Sequence, residues 1–154
     1  GVRHGASARV LAAACDEVHG FDSFAGLPEA WQGMPPGAFS LEGRAPPLPP
    51  NVVLHVGPFS ETAPAFARAL RAPVRFAHVD SDLYASAATA LDAIADRLGP
   101  GAVVLFDEYL GNARWRDDEH RALAEASAKF GWTTEVVSRS WVTGQAAFRV
   151  TRGA

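Results

Sequence analysis

Residues 74–108 read VRFAHVDSDLYASAATALDAIADRLGPGAVVLFDE, and this stretch decides the fold. Val74 to Val79 predicts a β-strand that runs into Asp80. From Leu83 to Leu98 the apolar positions Ala87, Leu91, Ile94 and Leu98 recur every three or four residues, the spacing of one face of a helix, and Gly99-Pro100-Gly101 is expected to stop it. Ala102 to Phe106 is nearly all apolar, as a strand covered on both faces requires, and it ends on Asp107 and Glu108. A strand, a helix and a second strand in this order form a parallel pair with both acidic ends on one edge.

Working outward, Asn51 to Val56 predicts a strand and Ser60 to Leu70 a helix, with Ser60 as N-cap and Ala63, Phe66, Ala67 and Leu70 on its apolar face. Ala6 to Ala14 predicts a helix, and Val18 to Phe21 a strand that runs into Asp22. Downstream, a helix is expected from about Arg116 to Phe130. Thr134 to Ser138 and Trp141 to Val150, interrupted at Thr143-Gly144-Gln145, predict an antiparallel hairpin. The fold class is α/β, a mostly parallel sheet with a C-terminal antiparallel hairpin, in a single domain over residues 1–154. Between Ser23 and Pro50 the periodicity disappears. Seven of the eleven prolines fall there, with Gly26, Gly33, Gly37 and Gly43, which predicts a long loop with one helical turn at Pro28 to Trp31. Such a loop is read as a lid over the substrate, a dimer contact or a disordered segment. Ligands of open parallel sheets bind outside the carboxyl ends of the strands, so Asp22, Asp80, Asp107 and Glu108 are expected to share one rim.

Composition narrows the partners. The 154 residues are 48% hydrophobic and 20% charged, and 14 Lys and Arg against 17 Asp and Glu leave a formal charge of −3. There is no surplus of basic charge to neutralise a phosphate backbone, so nucleic acid is not an expected partner. Apolar runs such as Val103 to Phe106 are too short to cross a bilayer and no charged-then-apolar leader opens the sequence, so no membrane partner and a cytoplasmic location are expected. Cys15, the single cysteine, forms no internal disulfide and is expected to be a small buried residue. Any bound metal would be held by oxygen or imidazole.

Three blocks, Gly20-Phe21-Asp22-Ser23-Phe24-Ala25-Gly26-Leu27-Pro28-Glu29, His78-Val79-Asp80-Ser81-Asp82-Leu83-Tyr84 and Phe106-Asp107-Glu108-Tyr109, resemble in sequence and order the macrocin O-methyltransferase family. This family is a branch of the class I S-adenosylmethionine-dependent methyltransferases with a Rossmann-like fold. The resemblance runs from Gly1 to at least Glu119. It implies transfer of a methyl group from S-adenosylmethionine to a hydroxyl of a small molecule, often a sugar of a natural product, with Mg2+ assistance. Homo-oligomers are common in the family and are a further expectation. Only the second half of the family's first motif is present, Gly1-Val2-Arg3-His4-Gly5-Ala6-Ser7. The first strand and its acid are missing from the sequence, which is therefore expected to be part of a longer protein.

The chemistry assigns roles. By resemblance Gly1 and Gly5 would let the backbone approach the methionine part of the cofactor, with Ser7 opening the helix that follows; taken alone the turn reads equally as ordinary strand-to-helix punctuation. Asp22 offers two acceptors at the spacing of a ribose diol, with Ser23 and Phe24 beside it; Gly57 and Phe59 follow the next strand, where adenine is contacted in this fold, or are a plain loop glycine and a core ring. Asp80, Asp82, Asp107 and Glu108 place four carboxylates at two neighbouring strand ends. Like charges so close need a cation or a shared proton, and Mg2+ prefers such oxygen ligands. By resemblance Asp80, Asp107 and Glu108 are the metal ligands, Asp80 also lies against the cofactor, and Asp82 takes the hydroxyl proton. The competing reading makes Asp82 a helix cap and turns Glu108 to solvent. His78, two residues before Asp80 on the same face, and His55 are candidate bases or satisfied core histidines. His4 is placed to meet substrate or cofactor, His120 is read as a surface residue, and Trp115 is read as lining the acceptor mouth or as packing.

Two rivals stand against this reading. A nicotinamide-dependent dehydrogenase would want Gly-x-Gly-x-x-Gly after its first strand, and the sequence has no such triplet. A non-catalytic module of the same fold would bind the cofactor or its product without turnover.

Overall fold

The computed structural model describes residues 1–152. The chain divides into two compact units, Gly1–Ala63 and Pro64–Ala154. In the first, helix α1 (Ala6–Ala12) precedes β1 (Val18–Asp22) and β2 (Val52–Val56), which pair in parallel with Val18 opposite Val52 and Asp22 opposite Val56. Helix α2 (Phe59–Ala69) leads out of this unit. Gly5 caps α1 at φ 79°. A Cβ there would lie 2.4 Å from Leu48 Cδ2, so glycine is required on both conformational and steric grounds. The amide of Asn51 closes the other end of α1 by donating to the carbonyls of Ala12 and Cys15, both at 2.9 Å.

The Pro-rich stretch 23–50 folds on itself. Phe24 and Leu27 are buried; the Phe24 carbonyl accepts the N–H groups of Leu41 and Gly43, and Leu27 exchanges hydrogen bonds with Gly37 and Ala38. The helical turn expected at Pro28 to Trp31 does not form. Gln32 and Gly33 both adopt positive φ, the conformation of a tight hairpin turn, and Trp31 and Met34 exchange backbone hydrogen bonds across it. Cys15 is exposed rather than buried.

The second unit holds a mixed sheet ordered β3-β4-β6-β5, built from β3 (Val74–Val79), β4 (Leu98–Phe106), β5 (Trp132–Arg139) and β6 (Ala146–Arg152). β3 and β4 are parallel with Val79 opposite Phe106; β6 runs antiparallel between β4 and β5. Helices α3 (Tyr84–Ile94) and α4 (Glu119–Phe130) pack together with the sheet around Leu91, Val104, Phe106, Leu123 and Phe148. The α/β architecture with a C-terminal antiparallel hairpin is therefore present.

Several boundaries differ for local reasons. α2 starts at Phe59 after Pro58, which puts Ser60 inside the first turn rather than at the cap. α3 gives way to a short 3-10 turn at Ala95–Arg97, and Gly99-Pro100-Gly101 lies within β4. The register against β3 shifts there, since proline donates no ladder hydrogen bond and Gly101 takes φ 70°. Val103 and Leu105 are only half-buried while Val104 and Phe106 are fully buried, so β4 alternates instead of being covered on both faces. α4 starts at Glu119, with Asp118 as N-cap. Trp141 and Val142 belong to the β5–β6 turn and are exposed. No helix among the described residues is long and apolar enough to cross a membrane.

Candidate functional site

In the first unit Asp22 ends β1 and ties the Gly-rich turn to it. Its Oδ2 accepts the N–H groups of Val2 and Arg3 and its Oδ1 that of Phe24, each at 2.8 Å. Burial alone would raise its pKa, but these three backbone donors outweigh that and hold it below the ordinary carboxylate value. One lone-pair position on Oδ1 is left for a further donor. Gly57 donates its N–H to the Asp22 carbonyl at 3.0 Å, Ser23 Oγ accepts the Ala25 N–H, and Ser7 is exposed on the first turn of α1. Phe24, 1% exposed, anchors the loop from inside the unit's core. His55 is satisfied there: its Nε2 lies 3.0 Å from His19 Nδ1 and its ring stacks on Phe21 at 4.5 Å.

The second unit concentrates its acids at the carboxyl ends of β3 and β4. The Asp107 N–H donates to the Val79 carbonyl at 3.1 Å, extending the parallel ladder by one residue and placing Asp107 beside Asp80. His78 Nε2 lies 3.5 Å from Asp107 Oδ1. Among the described residues, His78, Asp80 and Asp107 each bring a ligand atom within 4.8 Å of the others. Two oxygen donors with one imidazole suit a small divalent cation. The neighbouring His78, opposed by burial and helped by the Gln145 amide, holds Asp107 below its ordinary pKa.

Asp82 is not a helix cap, because Leu83 occupies the N-cap of α3. It adopts φ 61°, unusual for a residue with a side chain, and burial followed by the charges of Asp80, Asp107 and Asp118 pushes its pKa up to about 6. Glu108 is half-buried rather than turned to solvent. Burial, then Asp82, Glu119, Asp107 and Asp80, raise its pKa to about 9, and its Oε2 is buried without a hydrogen-bond partner.

The sequence reading passed over two residues. Glu119 is completely buried; its Oε2 accepts the Glu108 N–H at 3.1 Å, the Ser81 N–H also faces its carboxylate, and burial raises its pKa to about 8. Gln145, from the β5–β6 turn, donates to Asp107 Oδ1. His120 packs between Tyr109, at 5.4 Å, and Trp115, at 5.0 Å, and is half-buried rather than a surface residue. Arg116 stacks on the Trp115 ring at 4.2 Å.

So many carboxyls cannot all ionise in one half-buried place. Either protons remain on Glu108 and Glu119 near neutral pH, as their raised values describe, or a cation replaces those protons. The Asp80 and Asp107 oxygens and the orphaned Glu108 oxygen are hard donors of the kind magnesium takes, and the His78 imidazole is a softer donor beside them.

Residues 1–109 match the family Methyltransf_24, described as a methyltransferase domain. No curated protein matches the chain. Among solved structures it is similar to the calicheamicin methyltransferase CalS11, with TM-score 0.70 and 24% identity, covering 97% of this chain and 69% of that one. CalS11 is also described as a TDP-rhamnose 3'-O-methyltransferase. The O-methyltransferase NovP aligns with TM-score 0.73 and 22% identity over 99% of this chain and 70% of its own. A putative methyltransferase from Streptococcus mutans, solved with SAH, aligns with TM-score 0.57 and 17% identity over 97% and 84%. At these identities the likeness establishes the Rossmann-like methyltransferase fold.

Proposed function

The chain belongs to the methyltransferase-domain family that its residues 1–109 match, and from that premise we propose that it is an S-adenosylmethionine-dependent O-methyltransferase. Its acceptor is a hydroxyl of a small molecule, a sugar of a natural product, as the resemblance to macrocin O-methyltransferases and the fold shared with CalS11 and NovP support. The observation that carries this reading is the set of acids at the ends of β3 and β4, with the His78, Asp80 and Asp107 donor atoms within 4.8 Å of one another.

In the first unit Gly1, Gly5, Ser7, Asp22, Ser23, Phe24, Gly57 and Phe59 hold the cofactor; Asp22 uses its remaining Oδ1 position for a ribose hydroxyl, and Phe24 contributes backbone because its ring is buried. In the second unit Asp80, Asp107 and Glu108 hold Mg2+ with His78 beside them. A bound magnesium ion lowers the pKa of a hydroxyl that it coordinates. Asp82, half-buried beside Asp80, accepts the hydroxyl proton, and His78 keeps Asp107 ionised. Methyl transfer discharges the sulfonium, so the protein's main task is orientation.

The test is calorimetric titration with S-adenosylhomocysteine, with and without magnesium, beside Asp22→Ala, followed by methyl transfer from S-adenosylmethionine to a range of glycosides and nucleotide sugars. Saturable binding lost in Asp22→Ala and a magnesium-dependent methyl ether are expected. Binding without turnover on any acceptor would instead establish the non-catalytic module.

A further inference from the structure

Glu119 has no role in the reaction as proposed, yet it is the one acid completely removed from solvent. It is the first residue of α4, an element that supplies none of the assigned ligands. Its carboxylate accepts the Glu108 N–H at 3.1 Å, from the segment after β4, and the Ser81 backbone N–H, from the turn after β3, approaches the same group. Ser81 lies between Asp80 and Asp82, and Glu108 follows Asp107. A single carboxylate therefore spans the two segments that carry every acid of the cluster. Its other oxygen, Oε1, is buried without a hydrogen-bond partner, so the group is there despite the cost of leaving a polar atom unsatisfied.

We propose that Glu119 is a positioning residue, a buried strut on the N-terminus of α4 that fixes the separation of the Asp80–Asp82 turn and the Asp107–Glu108 segment through the Ser81 and Glu108 amides. This rests on the reading of those acids as the metal-binding and proton-accepting groups. The strut needs an acceptor oxygen at that reach and no negative charge. Glutamine provides it: the carbonyl oxygen takes the place of Oε2 and keeps the bond from the Glu108 N–H. Aspartate keeps the carboxyl group but is one methylene too short, and alanine lacks the acceptor.

The experiment compares wild type, Glu119→Gln, Glu119→Asp and Glu119→Ala by amide hydrogen exchange at Ser81 and Glu108, by Mn2+ titration followed by electron paramagnetic resonance, and by S-adenosylhomocysteine binding. Glu119→Gln is expected to keep the slow exchange of both amides and an Mn2+ affinity within about threefold of wild type, since its hydrogen bonds are retained. Glu119→Asp and Glu119→Ala are expected to speed exchange at both amides and to weaken Mn2+ by about tenfold or more, the effect of losing a supporting hydrogen bond around a metal site, with S-adenosylhomocysteine binding unchanged. A Glutamine variant as impaired as alanine would overturn the proposal in favour of Glu119 as a ligand or a required charge, and an alanine variant that binds Mn2+ like wild type would overturn it outright. If the short variants do not fold, exchange at Ser81 and Glu108 in Glu119→Gln decides alone. Should wild type bind no Mn2+, the metal reading fails, and the exchange pattern still supports or overturns the strut.

Discussion

Asp22 and the acids after β3 and β4 all sit at or just beyond strand ends, yet their environments are opposite. Asp22 is a lone carboxylate met by three backbone N–H donors at 2.8 Å, and its pKa is depressed. Asp82, Glu108 and Glu119 face one another and further acids, and their values rise to about 6, 9 and 8. The first arrangement is stable as it stands and holds a turn in place. The second stores repulsion that a cation relieves. A carboxylate surrounded by donors stabilises the fold, whereas carboxylates surrounded by carboxylates trade stability for function.

The largest effects that sharpen this contrast fall on turnover. Asp80→Asn and Asp107→Asn are each expected to lower kcat by about a thousandfold, the range seen when a metal-assisted acid or base step loses a key group. Asp80→Asn, which removes one charge from the crowd, leaves the metal-free melting temperature unchanged or raises it, whereas Asp107→Asn gives up a charge that His78 and Gln145 stabilise and lowers it. A fall in stability with turnover retained would show that these acids are structural, and would erase the contrast with Asp22.

Next comes Asp22→Ala, which strands the Val2, Arg3 and Phe24 amides. A loss of about 2–3 kcal/mol in chemical denaturation is expected, as for hydrogen bonds to a charged group, together with loss of S-adenosylhomocysteine binding. If the variant keeps wild-type stability, the three short bonds contribute nothing net, and Asp22 is only a ligand group.

Most of this contrast was legible in the sequence, and the exceptions are instructive. Apolar runs ending in Asp22, Asp80 and Asp107 announce themselves because strand periodicity and the acid are contiguous in the chain. Glu119 and Gln145 enter the cluster from elements packed beside it. Asp117-Asp118-Glu119 looks like the solvated acidic start of a helix, and no local pattern says that α4 turns Glu119 inward. Gly144-Gln145 looks like an ordinary turn, although the contact between Gly144 and Leu110 is what brings Gln145 to Asp107. Likewise the Gly99-Pro100-Gly101 segment signals a helix stop by composition, while the 3-10 turn before it has already ended the helix.

The two environments also predict opposite responses to pH. Glu108 and Glu119 bind protons more tightly folded than unfolded, where the value is near 4.5, so their contribution is most favourable at low pH and is lost as pH rises through about 8 to 9. Asp22 binds its proton less tightly folded than at its ordinary value of 3.8, so its contribution is present above that value and is lost as pH falls below it. Metal-free melting temperatures should therefore fall from pH 5 to pH 9, and magnesium should restore more at pH 9 than at pH 5. Glu108→Gln should flatten the alkaline slope and leave the acid limb below pH 4 in place; Asp22→Asn should do the reverse. A flat metal-free profile between pH 5 and 9 would mean that the carboxyls are not crowded in solution.

The smallest expected effect belongs to Gln145, and it tests how the hairpin serves the cluster. Gly144 holds φ 82°, where a Cβ would lie 2.5 Å from the Leu110 carbonyl; the Leu110 N–H donates to the Gly144 carbonyl at 2.8 Å, and the next residue presents its amide to Asp107. Gln145→Ala removes one of the three side chains that lower the Asp107 pKa, leaving His78, the largest influence, and Glu108. A drop in kcat of about fivefold is expected, the worth of about 1 kcal/mol, with the acid limb of the pH–rate profile moved to higher pH because Asp107 must be ionised to act. Gln145→Glu should cost more, since it replaces a donor by a fourth like charge beside Asp80, Asp107 and Glu108. If Gln145→Ala lowers kcat at every pH by the same factor, the amide positions Asp107 without tuning it, and the depressed value comes from His78 and Glu108.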